Sequence, residues 1–228
     1  MGKRTSKTAG RTSIAKGRPR AAPKSPRSAT AVQASKTPAR TAAGTVYQLK
    51  ITLDDTQPPL WRRVLTNDCT LAKLHAIIQI SMGWGDCHLH VFEIGGEQYG
   101  PLEQRDEPDP WDESEVGDER KVKLSQLVAG GIKKFRYVYD MGDNWQHTIQ
   151  IEKELPAEAG VRYPRCIDGK RACPPEDCGG PWGYPGLLEA LANPRHPEHA
   201  EMLEWVGGEF DPEHFDPEEV NEELAGMG

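Results

Sequence analysis

Residues 45–53, TVYQLKITL, set apolar Tyr47, Leu49, Ile51 and Leu53 between polar Gln48, Lys50 and Thr52. A period of two predicts a strand with one packed face. DTQPP turns the chain, and LWRRVLT predicts a second strand over 60–66, so the two read as a hairpin. The period then changes. TLAKLHAIIQISMGW places Leu71, Leu74, Ile78 and Met82 at helical spacing, with Thr70 as N-cap and Gly83 as the stop. His75 shares that apolar stripe and reads as core. HLHVFEI predicts a third strand, EQYG its short return, and KVKLSQLV a short helix. KKFRYVYDMG and NWQHTIQIEKEL predict a second hairpin through Gly142, Asp143 and Asn144, residues that make a tight turn on their own account.

Beyond about residue 160 neither period holds. YPRCIDGKRACPPEDCGGPWGYPG reads as loop, because Gly and Pro are dense in it. LLEALAN and PEHAEMLEWVG predict short helices. FDPE occurs at 210–213 and again at 215–218, and Asp-Pro-Glu suits the N-cap and first turn, which places a last helix over 217–225. The element order gives an α+β class: a mostly antiparallel sheet packed on a central helix, loosely β-grasp-like, with a Gly/Pro-rich loop region and short C-terminal helices.

Charge divides the chain in two. Residues 1–43 hold 11 Lys and Arg and no acid; the remainder holds 28 − 11 = 17 basic and 35 acidic residues, a balance of −18. The first 43 residues cannot bury enough apolar surface to order themselves and are expected to be a disordered basic tail, with residues 44–228 as the folded domain. Three uses of the tail stay open: a solvated linker, a non-specific nucleic-acid contact, or an organellar targeting peptide. MGKRTS also fits the loose myristoylation pattern. Residues 103–119 carry nine acids and one Arg, a long polar loop suited to a basic partner. No apolar run approaches the roughly 20 residues of a membrane span. Five cysteines, an odd count without a secretory signal, read as reduced thiols in a cytoplasm or as ligands.

The candidate chemistry lies in three places. His88 and His90 stand at i and i+2 on the predicted third strand, His147 stands on the packed face of another, and Asp140 and Asp143 bracket the turn before it. If the strands neighbour each other, these groups converge on zinc or another divalent metal that activates water. Phe92 and Ile94 share the face of the first pair, and Trp145, Ile149 and Ile151 that of His147, so packed structural histidines explain the pattern better than a metal cluster does. Cys166, Cys173 and Cys178, spaced C-x6-C-x4-C, offer an alternative set of zinc thiols that lacks a fourth ligand nearby. In PPEDCGG, prolines stiffen the chain on one side and Gly179 and Gly180 free it on the other, presenting Glu176 and Asp177 as a binding loop or buttressing the sheet.

GWGDCHLHVFEI, YDMGDNWQHTIQIE, CIDGKRACPPEDCGGPWGY and NPRHPEHAEMLEWVGGEFDPEHFD occur in one order. Together they resemble the plasmid pRiA4b ORF-3-like family over about residues 45–224, with Met141 where the family often has an aromatic residue. The resemblance implies a bacterial or archaeal, plasmid- or transposon-associated protein and points away from an organelle. It implies no established activity. Some members carry a resolvase label, yet no serine- or tyrosine-recombinase constellation is present here. Three functions remain: a non-enzymatic binding or regulatory module, a protein-interaction domain for a basic partner, and a metal-dependent hydrolase or nuclease using the His/Asp set.

Overall fold

The computed structural model describes residues 44–102 and 116–227. The tail over 1–43 and most of the acidic loop lie outside the described residues. Among those described, the predicted hairpins form: β1 (Thr45–Leu53) with β2 (Leu60–Asn67), and β6 (Lys134–Tyr139) with β7 (Trp145–Pro156). With β3 (His90–Ile94), β4 (Glu97–Gly100), β5 (Gly117–Asp118) and β8 (Arg165–Lys170) they make one sheet in the order β5-β4-β3-β6-β7-β1-β2-β8. Every pair is antiparallel except β4 with β5.

Helix α1 (Leu71–Met82) lies under this sheet. Thr70 accepts the Lys73 N–H at its start, and Gly83 closes it at φ 80°, a left-handed conformation that glycine adopts without strain. Leu71, Leu74, Ile77 and Ile78 are fully buried against the inward rows of the strands, among them Leu49, Ile51, Val64, Phe92, Tyr137 and Ile149. The other face of the sheet carries Lys50, Thr52, Arg63, Lys134 and Gln150, as the alternation predicts. Arg62 breaks the pattern on the inward face. Its guanidinium donates to the carbonyls of Ser81, Trp61 and Lys170 and lies 4.3 Å from the Phe215 ring centre, so the buried cation is satisfied.

Further α-helices among the described residues are α2 (Leu124–Ala129), α3 (Gly180–Ala192), α4 (His199–Trp205) and α5 (Pro217–Ala225). Two departures from the sequence pattern fall in the Gly/Pro-rich region. RCIDGK is not loop but the edge strand β8. Backbone pairing with β2 needs no alternation of side chains, and the Asn221 amide of α5 bonds the N–H and C=O of Cys166 on the strand's free edge. GPWGYPG is the start of α3, where Pro181 lies in the first turn and gives up no helical donor. A third departure matters for the site: β3 begins at His90, so His88 lies ahead of the strand.

Candidate functional site

Three connections meet at the end of the sheet where β3 starts and β6 ends. They are residues 83–89 between α1 and β3, the β6–β7 turn at 140–144, and the PPEDCGG segment before α3. Trp84 Nε1 donates to the Pro174 carbonyl (2.9 Å), and the Gly85 N–H to Glu176 Oε2 (3.0 Å). The Tyr139 hydroxyl donates to Glu176 Oε1 and accepts the Cys87 N–H, so one phenol ties two loops to the strand. Burial, and then this bond to Glu176, raise the Tyr139 pKa well above its ordinary value, which keeps the hydroxyl a donor. Asp143 Oδ2 accepts the Gly179 N–H, and Gly180 passes so close that a Cβ there would lie 2.2 Å from the Asp143 carbonyl oxygen.

Tyr139→Phe is accordingly expected to cost about 1–2 kcal/mol by chemical denaturation, since it orphans the Cys87 N–H and one Glu176 oxygen. A variant as stable as the parent would show that the two loops do not depend on this phenol.

The histidines do not converge on one point. His88, outside the strand, escapes the pleat that would align it with His90. Its Nε2 lies 3.2 Å from Asp177 Oδ1 and 3.7 Å from Asp140 Oδ2, hydrogen-bonded to neither and shut off from solvent. Asp140, itself buried, holds φ 57°; its Oδ1 accepts the N–H groups of Gly142 and Asp143, leaving Oδ2 to face His88. Asp143 instead turns to Gly179. His90 stacks on His75, ring centres 3.5 Å apart and 6° from parallel. His75 binds Tyr137 Oη (2.7 Å) and Asp86 Oδ1 (2.8 Å), and His90 Nε2 binds Glu119 Oε2 (2.8 Å), a carboxylate as buried as the ring it holds. Burial, then the neighbouring His90, lower the His75 pKa.

His147 is sealed. It occupies the central strand, opposite Leu53 on one side and Tyr137 on the other, beneath the edge of the Trp84 ring. Nδ1 faces the Tyr137 carbonyl at 3.3 Å and burial lowers its pKa to about 3, so the ring is neutral. The thiols do not assemble either: the two clusters of metal-ligating type among the described residues, His75–Asp86–His90 and His88–Asp140–Asp177, include no cysteine. Cys166 points from β8 to the Asp168 carbonyl, burial pushes the Cys178 thiol up to about 12, and it raises Cys173 further. Asp86, Glu119 and Tyr139 were not singled out by sequence reasoning. Asp86 and Tyr139 sit directly beside the motif histidines and Asp140, which is the one signal that points to them. Below the junction, α3 and α4 enclose a cleft of about 390 Å³ with Asp177 at its rim and Leu187, Met202, Trp205 and Glu198 along its walls.

Residues 45–219 match the sequence model of the plasmid pRiA4b ORF-3-like protein family. The chain belongs to this family. Three of the four stretches that carried the resemblance in the sequence supply the loop junction. A family relative, the uncharacterized protein y4hQ of Sinorhizobium fredii, is 40% identical over 163 residues, covering 71% of this chain and 81% of that protein. The crystal structure of MM3350 from Methanosarcina mazei Go1, a protein of unknown function, superimposes with a TM-score of 0.69 at 42% identity, covering 77% of this chain and 97% of the other. The family's α+β fold, with its mostly antiparallel sheet, is therefore shared by a solved structure. No helix among the described residues is long and apolar enough to cross a membrane.

Proposed function

We propose that the chain is a two-part, non-enzymatic binding or regulatory module of a plasmid- or transposon-borne element in a bacterial cytoplasm. Residues 1–43 attract nucleic acid by charge, and the folded domain takes a second ligand at the loop junction. The observation that carries this reading is the charge split, +11 in 43 residues against −18 in the rest. A −18 domain repels phosphate, whereas a basic segment needs no folded scaffold to release counterions from it. The junction supports a binding role because its loops are fixed by mutual hydrogen bonds before any ligand arrives, which limits the ordering cost of association. Burial keeps the Cys69, Cys173 and Cys178 thiols protonated at neutral pH, so they are poor nucleophiles.

Fluorescence anisotropy on the full chain and on its two parts tests the reading. The full chain is expected to bind duplex DNA weakly, without sequence preference, and with an affinity that falls steeply as salt rises. Residues 44–228, which contain all of the buried core, should not bind at physiological salt, and a 1–43 peptide should retain most of the affinity. Sequence-selective binding by the isolated domain would sink the proposal. A second reading, a metal-dependent hydrolase or nuclease, is favoured by one observation alone: His88, Asp140 and Asp177 face one another beside an open cleft.

A further inference from the structure

The geometry points to a divalent first-row cation held by His88 Nε2, Asp140 Oδ2 and Asp177 Oδ1; the inference rests on the junction being the domain's ligand site and names the ligand. Three acceptor atoms aim at one gap, all within 4.8 Å of one another. His88 Nε2 is out of reach of solvent and makes no hydrogen bond. Lone pairs crowded in this way repel unless a proton on the ring nitrogen or a cation stands between them, and the nitrogen makes no aligned hydrogen bond to either carboxylate. The two spacings from the His88 nitrogen are those of ligands on an ion. Two donors about 2.1 Å from a tetrahedral centre lie about 3.4 Å apart, and the His88 nitrogen lies 3.2 Å and 3.7 Å from its two carboxylate oxygens.

The surroundings fix the donors. Asp140 spends Oδ1 on two backbone N–H groups, which aims Oδ2. Asp177 is held between the Glu176 and Gly179 anchors and is exposed, so the ion has a route from solvent. Three protein donors leave a fourth position, and Asp177 sets it at the rim of the α3–α4 cleft. One imidazole with two carboxylates is a donor set for Mn²⁺ or Zn²⁺ rather than for Ca²⁺, which wants more oxygens.

The second cluster does not compete. Parallel rings 3.5 Å apart cannot both direct in-plane lone pairs at one ion, because any point between them lies far out of both ring planes. Their nitrogens are already used on Tyr137, Asp86 and Glu119, apart from His90 Nδ1.

Mn²⁺ is the probe of choice, because thiols compete poorly for it. The purified full chain, at 0.15 M salt with millimolar Mg²⁺ to occupy the acidic surface, is titrated with Mn²⁺ and free ion is read by electron paramagnetic resonance. One Mn²⁺ per chain is expected. Affinity should fall at least tenfold in His88→Ala and in Asp177→Asn, and stay unchanged in His75→Gln. Asp177→Asn alters an exposed side chain, so loss of folding does not confound it; near-ultraviolet circular dichroism verifies each variant. No saturable site in the wild type would overturn the cation and assign the gap to a proton on the His88 ring, which NMR of the imidazole would locate. Equal affinity in wild type and both ligand variants would also overturn it. Either outcome leaves the nucleic-acid reading intact, since that is read separately, by anisotropy with DNA.

Discussion

Between pH 6.5 and pH 4 His147 alone is expected to remove about 3 kcal/mol of stability from the domain. In the fold the ring is wholly buried and its pKa lies at about 3. In the unfolded chain it returns to about 6.5. Above 6.5 neither state binds the proton and the contribution is complete. As pH falls below 6.5 the unfolded chain takes up a proton that the folded one refuses, and stability drops by about 1.4 kcal/mol per pH unit until the folded pKa is reached. Among the described residues no carboxylate is hydrogen-bonded to the ring to offset this; backbone groups of Tyr137 and Trp145 face it instead, and burial outweighs them. His75, also lowered by burial, acts in the same direction. Urea denaturation of wild type and His147→Leu at pH 7, 5.5 and 4 isolates the effect. The variant is less stable at pH 7, having lost these backbone contacts and the ring packing against Trp84. Its deficit should shrink by about 3 kcal/mol on going to pH 4, because the variant carries no such proton linkage. Parallel stability curves would mean that the imidazole is open to water.

Gly180→Ala is expected to be the most damaging small substitution at the junction, by roughly 3 kcal/mol, or about 6–12 °C in melting temperature. Two penalties combine. The residue holds φ 66°, which an alanine adopts only with strain. The added carbon would also stand 2.2 Å from a backbone carbonyl oxygen, that of Asp143, which has no flexible end to move aside. The PPEDCGG segment must therefore lift from the β6–β7 turn, and the Gly179–Asp143 hydrogen bond is lost with it. Gly186→Ala is the control. It lies inside α3 with nothing within 4 Å of its Cβ position, and is expected to be neutral or slightly stabilising. Similar melting temperatures for both variants would show that loop contact at Gly180 contributes nothing to the fold.

The local patterns settled most of the architecture. The alternations at 45–53 and 145–151, and the helical stripe from Leu71 to Met82, are written in adjacent residues. Period and pleat are properties of the backbone itself, so they survive folding unchanged. The Thr70 cap and the Gly83 stop were legible for the same reason. So was the inward face of His147, although not what covers it, because Trp84 arrives from another part of the chain.

Edge pairing left no such trace. β8 is defined by backbone bonds to β2 and by an asparagine 55 residues away, and RCIDGK carries no alternation that would announce it. Two features outside the local pattern keep the histidines apart: β6 lies between β3 and β7, and β3 starts later than the pattern suggests. His88 and His90 share a face only if both lie in the strand, and the β3–β6 ladder begins at His90 opposite Tyr139. One residue further, Asp140 takes a left-handed conformation and the ladder ends, so His88 swings to Asp177 while His90 turns under the sheet to His75. Residue types told which groups have the chemistry to bind a cation. Which of them meet was decided by where a strand pair stops and by three loops, distant in sequence, two closing on Tyr139 and Glu176 and the third joined through Asp143 to Gly179, since hydrogen bonds of that range depend on the whole fold being in place.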